Sequence, residues 1–125
     1  MKGFLIELFA REKMEIDTIQ FILTSDDQVL LVNQQFLKHD YFTDIITFDL
    51  SRGPGSPKIA DIFISVDRVQ ENALQFACSR DEELRRVMIH GCLHLCGYKD
   101  KLKADRAEMR NWEDFYLRKY RKRST

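Results

Sequence analysis

The chain has 125 residues, 44% hydrophobic and 32% charged, with 20 basic and 20 acidic side chains. That composition is a soluble globular protein's and excludes a disordered or fibrous chain, while zero net charge excludes a molecule that is polycationic as a whole. No stretch approaches the roughly 20 apolar residues of a membrane span, so no membrane partner is expected, and the length predicts one domain over residues 1–125.

The first segment, MKGFLIELFAREK, has a short apolar run, charged Glu7, Arg11, Glu12 and Lys13, and no small-residue cleavage site. It is expected to be extended, and the chain to be cytoplasmic. Residues 19–24, IQFILT, predict a buried strand. Ser25-Asp26-Asp27 then caps a helix on which Val29, Leu30, Val32, Asn33, Phe36 and Leu37 recur at helical spacing. Residues 44–50, DIITFDL, are strand-like. SRGPGSPK, residues 51–58, must turn, and it is a loop within one domain because the pieces on either side are too short to fold alone.

Residues 59–66, IADIFISV, predict another strand, and residues 67–77 a helix with Val69, Ala73, Leu74 and Phe76 inward. Ser79 followed three residues later by Glu82 is a capping box. It opens a helix with Leu84, Val87, Met88 and Gly91 inward, running to Gly97, a residue suited to a left-handed C-cap. A last helix, about residues 104–120, sets Met109, Trp112, Phe115 and Tyr116 on one side. This order predicts an α+β domain: a mixed, mostly parallel sheet of about four strands covered by helices. The tail, LRKYRKR at 117–123, either contacts phosphates or simply ends a helix in solvent, where cations suit the helix dipole.

HGCLHLCGYKD, residues 90–100, carries the chemistry. His90 and His94 lie about 40° apart around a helix, so their rings converge on one face, as metal ligands must. Cys92 and Cys96 share that spacing but sit about 200° and 240° around from His90, facing the other way. They are expected to pack as small hydrophobes, and with Cys78 they form an odd set of reduced thiols rather than a disulfide framework. An open site follows, because catalytic zinc keeps three protein ligands and a free position. Asp100, just past the turn at Gly97, is the nearest third ligand. Histidines at this spacing also occur as hydrogen-bonded residues of half-buried helix faces, so spacing alone leaves both possibilities open. Gly91 stands where HExxH peptidases carry their general base, so a peptidase mechanism has no base.

The segment closely resembles the HGxLHLxGYDH signature of the YbeY family of bacterial endoribonucleases, implicated in ribosomal RNA maturation and ribosome quality control. Residues 33–48, NQQFLKHDYFTDIITF, are similar to the family's stretch of an asparagine, an aromatic and then T-D/N-V-L-S-F. Residues 60–65, ADIFIS, resemble its GDIxIS strand, and the similarity covers most of residues 31–116. The resemblance implies a helix-covered mixed sheet and a metal, usually zinc, held by three histidines in a cleft.

Carried over by position, the first two ligands fall on His90 and His94. A gapless match places Asp100 at the third histidine and Lys99 at the family's aspartate. A one-residue slip would instead put Lys101 at the ligand position, where a protonated amine cannot bind metal. The gapless match gives a His2Asp site, whose carboxylate should make the metal a weaker Lewis acid than three imidazoles would. Leu37 stands where the family commonly has an arginine able to clamp a phosphate. Lys38 or His39 would supply that charge; His39 is also a candidate proton donor, or a loop histidine in solvent. Asp44 is a candidate for orienting a ligand by hydrogen bond, or simply caps its strand.

The expected function is metal-assisted cleavage of single-stranded RNA, namely ribosomal RNA precursors. It would use one divalent ion, Zn2+, and the ribosome or small-subunit proteins as partners, with no role for DNA. Two expectations compete with it: a ribosome-associated assembly factor with a structural metal, and a two-histidine-one-carboxylate iron site.

Overall fold

A computed structural model describes residues 1–123. In chain order its elements are α1 (Lys2–Arg11), β1 (Ile16–Thr24), α2 (Asp26–Phe36), β2 (Ile45–Asp49), β3 (Lys58–Ser65), α3 (Val66–Gln75), α4 (Arg80–Leu95) and α5 (Lys103–Arg123). Helices begin where side-chain oxygens can accept the first free N–H groups: Ser25 from Gln28, Ser65 from Arg68 and Ser79 from Glu82. The helix α4 stops as expected, with Gly97 in the left-handed region at φ +102° just past the cap.

The sheet is mixed, as expected, but among the described residues it has three strands rather than about four, in the order β1-β3-β2. The longer pairing, β1 with β3, is parallel, and β2 pairs with β3 antiparallel. The missing strand is the opening segment, which is helical, not extended. Phe4, Leu5, Leu8 and Phe9 are its buried residues, an i, i+1, i+4, i+5 pattern that only a helix turns toward one side.

The central strand β3 reads as a nearly continuous apolar run because both its faces are covered. Ala60, Ile62 and Ile64 are buried against the helix α4 side, where they join Leu93, Ile89 and Cys92 in the core with Phe9, Tyr116 and Leu117. Phe63 points to the other side and meets Phe48, which in turn meets Phe36 at the end of α2, each edge to face. Gly91 lets α4 press on the sheet: a Cβ there would lie 2.9 Å from Ile45 Cδ1 and 3.2 Å from Ile62 Cδ1.

The inner face of α3 differs from expectation. Val69 and Ala73, one helical turn apart, are buried, but Leu74 is 74% exposed and Phe76 50% exposed, with Arg110 stacked over the Phe76 ring. One residue past Ala73, the helix has already rotated by about 100° and carried Leu74 out of the core. No helix among the described residues is long and apolar enough to cross a membrane.

Candidate metal centre

His90 and His94 project from one face of α4, their rings 4.7 Å apart. The turn at Gly97 brings the chain back so that one oxygen of Asp100, Oδ2, lies 3.2 Å from His90 Nε2 and 3.1 Å from His94 Nε2. One ligand atom from each of the three residues lies within 4.8 Å of the others. Asp100 is the residue that reaches both histidine rings, while Lys101 lines the same cleft.

The other nitrogen of each ring has its own partner. His90 Nδ1 lies 2.7 Å from Glu113 Oε2, and His94 Nδ1 lies 3.0 Å from the Tyr98 carbonyl. A carbonyl can only accept, so His94 donates through Nδ1 and leaves Nε2 with a lone pair. Glu113 favours the same tautomer at His90. Two lone pairs and a carboxylate oxygen then point at one another, an arrangement that is repulsive until a cation or a proton sits among them. The His90, His94 and Asp100 group could therefore hold a metal ion, and its donors suit a borderline divalent ion such as zinc.

Glu113 is the functional residue that sequence reasoning missed. It is buried on α5 and also accepts from Arg86 Nη1 at 3.0 Å, while Arg86 Nη2 reaches Asp114 at 2.7 Å. A signal was present: Glu113 is four residues after Met109 and three before Tyr116, a carboxylate in the middle of the inward stripe of its helix. Burial pushes the His90 imidazolium toward losing its proton, but hydrogen bonding and attraction from Glu113 outweigh this and raise its pKa above the usual histidine value.

The three residues open into a cleft of about 530 Å³ whose wall includes Asn33, Leu37, His39, Tyr41, Asp44 and Lys101. Asp44 thus joins the site, its carboxyl pKa raised by burial and partly restored by the charge of His90. His90 Nδ1 donates its hydrogen bond to Glu113 instead. His39 lines the cleft, whereas Lys38 falls between the wall residues Leu37 and His39, with φ +56°. Lys101 is a cation that sequence reasoning considered only as a misplaced ligand. The cysteines stay out of the site: Cys92 is fully buried, Cys96 packs against the core, and burial pushes both thiol pKa values far up. The basic tail lies on α5 and is partly committed to protein partners, Arg121 to Glu82 and Arg123 to Glu7.

The model of the family described as Endoribonuclease YbeY matches residues 2–121. The chain is 51% identical to the Endoribonuclease YbeY of Flavobacterium psychrophilum over 80% of its own length and 70% of the relative's. It is 47% identical to that of Cytophaga hutchinsonii over 94% of its length and 81% of the relative's. The solution structure of TM1509 from Thermotoga maritima superposes with a TM-score of 0.63 at 30% identity, covering 98% of this chain and 82% of that one. With a family model spanning nearly the whole chain and close relatives bearing the same name, the chain belongs to the Endoribonuclease YbeY family.

Proposed function

We propose that this chain is a metal-dependent endoribonuclease that cuts single-stranded RNA, with ribosomal RNA precursors as substrate, in the cytoplasm and in association with the ribosome. The observation that carries this reading is the convergence of His90 Nε2, His94 Nε2 and Asp100 Oδ2 at the floor of an open cleft. His90, His94 and Asp100 would hold one Zn2+, which when bound supplies Lewis acidity and a lowered pKa for its water. Glu113 holds His90 in the tautomer that offers Nε2, and Arg86 holds Glu113. The Tyr98 carbonyl does the same for His94. Lys101 and Lys38 supply positive charge for a phosphate, a role that Leu37 cannot take, and His39 is a hydrogen-bond or proton donor beside them. Asp44, a half-buried carboxyl at the cleft wall, serves as a proton acceptor or donor beside the reacting phosphate.

The test is elemental analysis of protein purified without chelator or affinity metal, followed by incubation with ribosomal RNA precursors. About one zinc per chain and cleavage abolished in His90→Ala are expected. Iron in place of zinc would redirect the reading toward an oxygenase. A metal-loaded protein that leaves RNA uncut, and unfolds on chelation, would instead be an assembly factor with a structural metal.

A further inference from the structure

The cleft has an aromatic wall whose flat ring faces the proposed chemistry does not use. His39 and Tyr41 are stacked, centroids 5.1 Å apart and planes 20° from parallel, and the Tyr41 hydroxyl lies 3.0 Å from His39 Nδ1. Both side chains are exposed, Tyr41 by 56%, and both line the cleft that holds His90, His94 and Asp100. Exposed rings on a surface loop ordinarily sample many rotamers, so a fixed stack there needs a cause.

Buried Asn33 provides it. Its carbonyl accepts from the backbone N–H groups of Leu37 and His39, both at 3.1 Å, and its side-chain amide donates to the Tyr41 carbonyl at 2.9 Å. The bond from His39 closes over Lys38, which takes the left-handed conformation that a six-residue return requires. Gln34 donates to Asp40 at 2.6 Å and ties down the middle of the loop. The stretch from Leu37 to Tyr41 in the loop between α2 and β2 is thus tied to α2, and much of the backbone entropy of presenting the two rings is already spent before any ligand arrives.

We propose that the His39–Tyr41 pair is a stacking site for one unpaired nucleobase of the RNA strand whose backbone lies at His90, His94 and Asp100; this rests on the endoribonuclease reading above. Every base has a flat π-face, so such a site is tolerant of sequence. It is selective for single strands, because a paired base inside a helix cannot leave its own stack to reach it. Leu37 on the same wall adds apolar contact in place of a phosphate clamp, which shifts the binding of substrate from charge toward stacking.

The test measures binding of fluorescently labelled single-stranded oligoribonucleotides to the full chain in the presence of chelator, with one abasic nucleotide moved along the strand. Wild type is expected to lose about tenfold in affinity at one abasic position, the loss typical of one base–aromatic stack. Tyr41→Ala should bind the intact strand about tenfold more weakly and become indifferent to that abasic position, while Tyr41→Phe, which keeps the ring, should behave as wild type. Affinity of Tyr41→Ala equal to wild type, or an unchanged abasic penalty in that variant, overturns the stacking site while leaving the nuclease reading in place. If wild type binds no single-stranded RNA and cleaves none with metal restored, both fall together.

Discussion

One helix carries two pairs of potential metal ligands at the same spacing, and only one pair faces a cleft beside a third potential donor. His90 and His94 look out of α4 into a cleft, where Glu113 and the Tyr98 carbonyl orient their rings and Asp100 completes a set of three donors. Cys92 and Cys96, turned about half a circle away, are packed beneath α4 among Ile, Leu and Phe side chains and stay protonated. Spacing makes two side chains neighbours. Whether they become ligands depends on what the rest of the chain brings to their face of the helix.

The comparison can be broken first at Glu113. Glu113→Gln should weaken zinc affinity by about 10- to 100-fold, the usual effect of removing a partner that orients a ligating histidine. Titration against a zinc chelator reads it, and a far-UV spectrum like wild type's shows that the fold is kept.

Next comes Gly91, which lies between the two faces. In Gly91→Ala the new methyl must displace Ile45 and Ile62, costing about 1–3 kcal/mol and lifting α4 from the sheet. Denaturant unfolding measures the stability loss, and a parallel fall in zinc affinity is expected because the histidines ride on the same helix.

Cys92→Ala probes the buried face alone. It should cost about 1 kcal/mol, since a small buried group leaves a small void, with zinc content unchanged. Loss of zinc in this variant would erase the distinction between the faces.

The smallest effect is in pH. The pKa of His90 is raised above its ordinary 6.5, so the proton it shares with Glu113 stabilises metal-free protein below that pH, and this stabilisation fades as pH rises through the folded value. Zinc needs the neutral ring, so its affinity runs the opposite way and grows with pH. Melting curves between roughly pH 6 and 8 should therefore show chelated protein losing, and zinc-loaded protein gaining, thermal stability as pH rises.

Much of the molecule was legible from short-range signals. Ser25 and Ser79 marked helix starts, Gly97 marked a stop, and the blocks around Asn33, Ala60 and His90 pointed to the family. Errors arose where an apolar stretch fits two periods over a short window. GFLIELFA was expected to be extended, and its helical period shows only when Phe4, Leu5, Leu8 and Phe9 have a core to face. Leu74 and Phe76 were assigned to the core because they are apolar, although an edge of α3 faces solvent.

The sequence by itself determined that two histidines share a helix face, that a turn follows them, and that a carboxylate lies within reach, because helical geometry and glycine conformation are local properties. Only the tertiary structure decided that Asp100 Oδ2 meets both Nε2 atoms, that Glu113 arrives from 23 residues away to set the tautomer of His90, and that His39 and Tyr41 stack on the wall of the same cleft. Those positions follow from how α5 and the loop held by Asn33 pack around α4, and packing between distant segments has no signature in the spacing of either one.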